Sequence, residues 1–158
     1  MSPGWSVRPL AEDDWPLLRA VRLAMLLDHP GAYGSTFVRE AAFTEETWRA
    51  RTGPGVFHAL RPDGLPLGSV TLLWQHPGQD PVVVAMWVAA HARGTGVADD
   101  LVNACLELAA ERGESRVRLD VMGDNPRAVA FFLRAGFAFE GEDPTPEGCR
   151  AMSRSLSR

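Results

Sequence analysis

The residues with the clearest chemical meaning form a glycine-rich turn, Arg93–Ala98, with the sequence Arg-Gly-Thr-Gly-Val-Ala. The turn follows the apolar run Val82–Val88 and precedes the helix-like segment Asp99–Arg112. The unbonded N–H groups in the first turn of a helix point outward, and the helix dipole favours negative charge there. Gly94 and Gly96 lack the Cβ that would keep a phosphate away from the backbone. The pattern therefore predicts a site for a phosphorylated ligand.

Two common phosphate-binding motifs do not fit this turn. A P-loop needs a lysine after its second glycine, whereas all sixteen basic residues of this chain are arginines. A dinucleotide-binding fingerprint needs a third glycine at the position where this chain has Asp99. The spacing that remains is Arg-x-x-Gly-x-Ala, from Arg93 to Ala98.

A second motif, Asn125–Phe137, follows about thirty residues later. An asparagine and an alanine open a helix-like segment, two phenylalanines follow, and a Gly-Phe pair closes it. In this order, the glycine turn and the second motif resemble the acetyl-CoA-binding motifs of the GCN5-related N-acetyltransferases. The start of the chain, Trp5–Asp14, is similar to the first strand and helix start of that family. The resemblance therefore extends from about Val7 to the C-terminus.

The pattern of the chain predicts an α/β (α+β) fold with a single domain over residues 1–158. Alternating and β-branched segments predict strands, and apolar spacings of three and four predict helices. Their order is β-α-α-β-β-β-α-β-α-β-β, which is typical of a mixed, largely antiparallel central sheet with helices on both faces. The acetyltransferase fold has this order. The predicted segments are the strand Trp5–Arg8, a helix capped by Asp13 or Asp14 and ending near Leu27, the helix Thr44–Arg51, the strands Val56–Leu60, Gly68–Gln75 and Val82–Ala89, the helix Asp99–Arg112, the strand Ser115–Val121, the helix Pro126–Ala135, and the strands Phe137–Glu140 and Cys149–Ser155.

The composition is that of an ordinary globular protein, with 46% hydrophobic and 23% charged residues. No apolar run approaches the roughly 20 residues that span a membrane, and the N-terminus lacks a secretion-signal pattern. We therefore expect a cytoplasmic protein without a membrane partner. The net charge of −4 argues against nucleic acid as a partner and is compatible with a cationic amine substrate.

The resemblance implies acetyl-CoA as the co-substrate. It also implies that the backbone N–H of Val88, on the strand before the glycine turn, meets the thioester carbonyl; a donor of this kind contributes roughly 3 kcal/mol. Val88 also fits a core position, and both interpretations hold together. Arg93 either contacts a phosphate or is solvated. The residues assigned to acetyl-CoA by resemblance are Met86, Val88, Arg93, Gly94, Thr95, Gly96, Val97, Ala98, Asn125, Ala128, Phe131 and Phe132.

The proton acceptor for the amine is not evident from the sequence. Many relatives use a glutamate on the strand before the glycine turn, but Val82–Ala89 contains no carboxylate. By position, Asp120 on the next strand is the best replacement, and a solvated strand-end carboxylate explains it equally well. His76 and Glu40 are weaker candidates. An amine of low pKa, or deprotonation by solvent, would remove the need for a base.

The proton donor for the leaving thiol also departs from the family pattern. Where relatives often have a tyrosine, this chain has Phe132, which has no proton to give. A thiol with a pKa near ~8.5 leaves tolerably as the thiolate, so the loss need not abolish activity. Tyr33 is the only tyrosine, and the resemblance places it in the loop that lines the acceptor site. It either donates a proton there or packs against the substrate.

Aromatic residues are the candidates for the acceptor pocket, because their faces hold apolar or cationic groups. Each of them also fits a core position. The expected walls are the segment Asp28–Phe37, which contains Tyr33 and Phe37, together with Trp48, Trp74 and Trp87. His29, His58 and His91 show no metal-ligand spacing, so we predict no metal.

Two functions fit these residues best, and transfer of a different acyl group or binding of an unrelated phosphorylated ligand is the remaining alternative. The first is an acetyl-CoA-dependent N-acetyltransferase that acts on a small-molecule or peptide amine by direct transfer in a ternary complex. The second is a catalytically degenerate acyl-CoA sensor or partner protein, favoured by the missing strand glutamate and by Phe132. A homodimer is compatible with either, since family members often form dimers.

Overall fold

The computed structural model describes residues 4–141 and 148–156. Every predicted helix and strand is present, with ends that differ by a few residues. The strands are β1 Ser6–Leu10, β2 Gly53–Leu60, β3 Pro66–Leu73, β4 Val82–Val88, β5 Arg116–Met122, β6 Ala138–Phe139 and β7 Cys149–Ser155. The helices are α1 Trp15–Asp28, α2 Phe37–Ala41, α3 Glu45–Ala50, α4 Val97–Glu111 and α5 Pro126–Arg134, with 3₁₀ turns at Glu12–Asp14 and Ala90–Ala92.

The seven strands have the sheet order β1-β2-β3-β4-β5-β7-β6. β1 pairs antiparallel with β2, β2 with β3, and β7 with both β5 and β6. β4 pairs parallel with β5, through Val82–Arg118 and Val83–Leu119. The prediction of a mixed, largely antiparallel sheet is therefore confirmed.

Two local predictions are corrected by the structure. The helix α2 was not predicted, because its five residues are too few to show a helical period; the Thr36 side chain caps it by accepting from the Arg39 N–H. Asp14 precedes α1, but its carboxylate does not cap that helix. It instead accepts from the Ala11 N–H and pairs with Arg8 at 2.9 Å, which uses the oxygens that a cap would need.

Two helices end at glycines, as the sequence predicts. Gly113 follows α4 and Gly136 follows α5, and both have positive φ, of 78° and 92°. After α4 the Glu114 N–H donates to the Ala109 carbonyl, and after α5 the corresponding bond runs from Phe137 to the Phe132 carbonyl. These are Schellman motifs, for which a left-handed residue is required and glycine carries no Cβ penalty.

The described residues fall into two compact units. The first contains the residues up to Thr71 together with Ala85–Leu101, and the second contains Leu72–Val84 and the residues from Val102 onward. Buried residues of the first unit include Leu10, Val21, Met25, Trp48, Ala59, Val70 and Val97. Those of the second include Cys105, Ala109, Val117, Leu119, Phe132, Phe137 and Met152. That residues 1–158 form one domain stays a prediction.

A buried histidine stands in the middle of the β-sheet of the first unit. His58 on β2 is 0% exposed and lies between Arg8 on β1 and Ser69 on β3 in the strand register. Neither ring nitrogen has a hydrogen-bond partner within the described residues. Burial, reinforced by the charge of Arg8, lowers the pKa of His58 from 6.5 to about 4. The folded protein therefore holds this imidazole neutral.

We expect this histidine to make folding sensitive to acid. Between pH 6.5 and about 4 the unfolded chain binds a proton at His58 that the folded state excludes, so stability is lost as the pH falls through this window. At about pH 4.5 the loss is about 2.5 kcal/mol, from ~1.4 kcal/mol per pKa unit. Urea unfolding of wild type and His58→Leu at about pH 7 and pH 4.5 measures it. His76→Gln, at an exposed histidine, is the control. If the free energy of unfolding falls equally between about pH 7 and about pH 4.5 in wild type and in His58→Leu, the assignment is wrong.

Candidate functional site

The glycine turn joins β4 to α4 in the first unit, and its two glycines have left-handed backbones. Gly94 has φ 77° and Gly96 has φ 101°, conformations that residues with a Cβ rarely adopt. The Thr95 hydroxyl donates to the Ala92 carbonyl and ties the turn to the preceding 3₁₀ turn. A Cβ at Gly94 would meet nothing within 4 Å. The backbone of the turn is therefore open to a ligand on that side.

The first helical bond of α4 defines its free end. The Asp100 N–H donates to the Gly96 carbonyl at 3.1 Å, so the N–H groups of Val97, Ala98 and Asp99 lie before the helical ladder. N–H groups at this position point along the helix axis, where the dipole is positive. The turn thus places free backbone N–H groups at the positive end of a helix, which is the geometry that favours an anion. That an anion binds there stays a prediction.

A third glycine, which the sequence analysis treated only as part of a strand, controls how closely the elements of this site approach. A Cβ at Gly68 on β3 would lie 2.8 Å from the Trp87 carbonyl oxygen, 3.0 Å from Leu101 Cδ1 and 3.2 Å from Val97 Cγ1. Next to it, the Ala89 N–H donates to the Leu67 carbonyl at 2.8 Å. Only a residue without a side chain lets the end of β4 and the start of α4 pack here.

The strand that carries Val88 is irregular. Ala85 has φ 54°, and within residues 4–141 and 148–156 it is the one non-glycine residue with positive φ. It follows the residues of β4 that pair with β5 and precedes Met86 and Val88. A left-handed residue inside a strand breaks its alternation and re-aims the groups that follow it. No signal in the sequence indicated this, because alanine has no preference for that conformation.

Tyr33 is fixed against this strand. Its hydroxyl donates to the Met86 carbonyl at 3.1 Å, and the Arg22 guanidinium lies 5.5 Å from its ring centroid. Burial raises the pKa of Tyr33. The structure thereby joins two residues that the sequence assigned separately, one to the acceptor loop and one to acetyl-CoA.

Arg22, which lies over the Tyr33 ring, forms an ion pair with Glu40. The Glu40 carboxylate is 1% exposed and pairs with Arg22 at 2.9 Å and Arg51 at 3.1 Å. Burial alone would raise the pKa of Glu40, but hydrogen bonds from Arg22 and Ser35 and the charges of Arg22 and Arg51 outweigh it and lower the pKa. A buried carboxylate held in ionised form by two guanidiniums is a poor proton acceptor, which argues against Glu40 as the base.

Arg93 connects the glycine turn to the segment after α1. Its guanidinium donates to the Val88 carbonyl at 3.3 Å and lies 3.4 Å from Asp28 and 3.3 Å from His29 Nε2. The Trp87 indole N–H donates to the same Asp28 carboxylate at 3.0 Å. The expected acceptor wall and the expected thioester strand are thus in direct contact. The sequence did not indicate that these particular side chains would pair.

The residues of the second motif lie in the second unit. The Asn125 side chain caps α5 by accepting from the Ala128 N–H at 3.2 Å. The ring centroids of Phe131 and Phe132 are 5.1 Å apart, and those of Phe132 and Phe137 are 5.7 Å apart. Phe132 is buried in this aromatic cluster.

The remaining candidates for the acceptor pocket and for the base range from fully buried to exposed. Trp48 is 1% exposed, so it belongs to the core and does not line an open pocket. Trp74, in the second unit, donates to Glu114 at 2.9 Å beneath Arg112, at the C-terminal end of α4. Phe37, at the start of α2, and the carboxylate of Asp120 on β5 are exposed. His76 is exposed in the loop before β4.

The described part of the chain contains no group of three or more His, Cys, Asp or Glu side chains arranged to hold a metal ion. Among the same residues, no helix has both the length and the apolarity needed to cross a membrane.

The comparisons with known proteins agree with this geometry. The model of the acetyltransferase (GNAT) family matches residues 18–137. A GCN5-related N-acetyltransferase from Kribbella flavida superimposes with a TM-score of 0.74 at 24% identity, over 97% of this chain and 98% of that one. Nourseothricin acetyltransferase has a TM-score of 0.56 at 28% identity, over 66% of this chain and 68% of that one.

One similar structure was solved with coenzyme A bound. N-acetylglutamate synthase from Neisseria gonorrhoeae, complexed with coenzyme A and N-acetyl-glutamate, has a TM-score of 0.73 at 16% identity, over 100% of this chain and 36% of that one. No curated protein matches the sequence. Because the family model covers well over half of the chain, including the glycine turn, this protein belongs to the acetyltransferase (GNAT) family.

Proposed function

We propose that this protein transfers the acetyl group of acetyl-CoA to a primary amine of a small molecule or peptide, directly within a ternary complex. The observation that carries the proposal is the left-handed glycine turn, Gly94–Gly96, at the free end of α4. The family supports acyl transfer in general, and the structure of one neighbour holds coenzyme A. The direction of transfer and the acceptor are our proposal.

The pyrophosphate of acetyl-CoA would bind the N–H groups of Val97, Ala98 and Asp99. They have no intrahelical partner, and a phosphate there gains both hydrogen bonds and the helix dipole. Gly94, Thr95 and Gly96 would supply the open backbone beside them. Asn125, Ala128, Phe131 and Phe132 are assigned to the cofactor by resemblance alone.

The thioester carbonyl would accept from the Val88 N–H. The left-handed Ala85 supports this role, because it changes the direction of the backbone groups after it. As the amine attacks, negative charge develops on the carbonyl oxygen, and one fixed donor is worth roughly 3 kcal/mol there. The C–S bond then breaks with its electrons on sulfur, and the thiolate of a thiol with a pKa of ~8.5 is a tolerable leaving group at neutral pH.

Tyr33 would serve this step by positioning the strand. Its hydroxyl proton is already donated to the Met86 carbonyl, two residues before Val88. A proton engaged in that bond is not free for the sulfur. We therefore favour a positioning role for Tyr33 over a role as general acid.

The proposal needs no side-chain base in contact with β4. Asp120 is an exposed carboxylate on β5, and Glu40 is ionised and doubly paired. An amine that is neutral at the working pH, or that first loses its ammonium proton to solvent, satisfies the chemistry. The proton that the nitrogen releases as the amide forms then passes to solvent or to the departing thiolate. We accordingly expect the rate to rise with pH as the amine deprotonates.

The alternative is an acyl-CoA-binding protein without catalysis. It is favoured by two observations. β4 carries no carboxylate, and Phe132, where relatives often have a tyrosine, packs against Phe131 and Phe137 and has no proton to give. Such a protein would keep the glycine turn and bind acetyl-CoA, but would release no thiol. A cytoplasmic location and a homodimer stay predictions under both functions.

A thiol-release assay decides between the two functions. Acetyl-CoA would be offered with nourseothricin, polyamines, amino acids and N-terminal peptides over about pH 6.5–9, together with calorimetry of CoA binding. We expect release with one class of amine, at a rate that increases with pH because the neutral amine is the nucleophile. Tight CoA binding with no release for any amine would favour the sensor.

The glycine turn is tested by a charge placed within it. Gly96→Glu should abolish CoA binding, since its carboxylate would compete with the phosphate for the N–H groups of α4. Gly96→Gln carries the same backbone strain without the charge and should bind CoA more tightly than Gly96→Glu. Gly78→Glu is the fold control, because Gly78 also has positive φ (80°) with nothing within 4 Å of a Cβ. Wild-type affinity in a folded Gly96→Glu would refute the site.

The role of Tyr33 is tested by removing its hydroxyl. Tyr33→Phe keeps the ring under Arg22 and loses the hydrogen bond to Met86, so we expect kcat/KM to fall roughly fivefold, as for one net hydrogen bond. CoA affinity and the shape of the pH–rate profile should not change. Loss of an alkaline limb from that profile would instead identify Tyr33 as the general acid.

A further inference from the structure

One tryptophan links the start of the chain to the start of α4. The Trp5 indole N–H donates to Asp100 Oδ2 at 2.8 Å, across 95 residues of sequence. Trp5 directly precedes β1, and Asp100 is the fourth residue of α4. Both side chains are partly buried, and both residues belong to the first unit. This bond therefore connects two elements that the sequence does not bring together.

The same indole lies beside the glycine turn. A Cβ added at Gly96 would be 3.8 Å from Trp5 Cζ2 and 4.0 Å from Cη2, and nothing else would be within 4 Å. Gly96 accepts the first helical bond of α4, from the Asp100 N–H. The Trp5 N–H thus binds the Asp100 carboxylate in the first turn of α4, while its outer ring lies on the side of Gly96 where a Cβ would be.

The carboxylate of Asp100 carries a negative charge close to the N–H groups that would bind an anion. A negative side chain in the first turn of a helix is favourable when no ligand is bound, because it interacts with the helix dipole. When a phosphate occupies the N–H groups of Val97–Asp99, the same carboxylate repels it. A short acidic side chain that is free to rotate also competes for those N–H groups by accepting hydrogen bonds from them.

We propose that Trp5 is a positioning residue of the acyl-CoA site, which holds the Asp100 carboxylate away from the N–H groups that bind the pyrophosphate. The proposal rests on the proposed function, since it requires that a CoA phosphate binds at the glycine turn. The indole N–H satisfies one carboxylate oxygen and thereby fixes the direction of the Asp100 side chain. The negative charge that stabilises the empty helix end is thereby kept from opposing the ligand.

The test is a double-mutant cycle read out as CoA affinity. Trp5→Phe removes the N–H donor together with the outer ring of the indole, which carries Cζ2 and Cη2, while Asp100→Asn removes the charge and keeps the side-chain shape. The double variant therefore separates loss of packing at Gly96 from release of the carboxylate. Calorimetry would give the CoA dissociation constants of wild type, both single variants and the double variant. Trp15→Phe is the matched control, because the Trp15 ring lies at the start of α1 under Arg49. Thermal unfolding verifies that each variant is folded.

We expect Trp5→Phe to weaken CoA binding about tenfold, since it releases a charge near the phosphate. Asp100→Asn should bind CoA somewhat more tightly than wild type, and the double variant should bind like Asp100→Asn. The penalty of Trp5→Phe should shrink as salt is raised, because salt screens the repulsion. This pattern separates a charge-positioning role from simple packing.

Three results would overturn the proposal. Unchanged affinity in Trp5→Phe means that the bond does not matter, and an equal penalty in the Asp100→Asn background means that Trp5 acts by packing alone. If wild type binds CoA normally in either case, the proposed function stands and only this inference fails. If wild type binds no CoA, and Gly96→Glu changes nothing, both fail together.

Discussion

The site depends on a close approach that only one residue permits. Gly68 on β3 leaves room for the Trp87 carbonyl and for the first turns of α4, where a Cβ would lie within 2.8 Å of an oxygen atom. Because the backbone is in contact there, the end of β4 and the start of α4 are held together by packing. The glycine turn lies in the connection between them, and its two left-handed residues adopt conformations that glycine reaches without a Cβ penalty.

Ionic and hydrogen-bonding contacts hold together the part of the first unit that we propose faces the acceptor. Buried Glu40 fixes Arg22, the Arg22 guanidinium covers Tyr33, and the Tyr33 hydroxyl holds the Met86 carbonyl. Arg93 adds a second connection, from the glycine turn back to Asp28. A buried ion pair contributes little net stability, but its geometry is specific, and loss of one partner is costly. These contacts therefore position the strand that carries Val88.

Much of this architecture was predictable from residue patterns. The strands and long helices follow from period-two and period-3.6 spacing, and the helix ends follow from Gly113 and Gly136, since glycine is the residue that a left-handed cap requires. The short helix α2 was not predicted because five residues do not establish a helical period. The cap expected at Asp14 is absent because Arg8 binds its carboxylate. One miss arises from a side-chain contact with a residue outside the helix, and the other from a segment too short to show a period.

The sequence by itself determined the family resemblance, the glycine turn at the free end of α4, and the absence of a carboxylate on β4, because these depend on residue identity and local spacing. Tertiary structure alone decided which side chains meet. It buries Trp48 in the core, commits Trp74 to Glu114, and brings Trp5 onto Asp100. These contacts join residues dozens of positions apart, and their energy exists only once the chain has folded, so no local pattern encodes them.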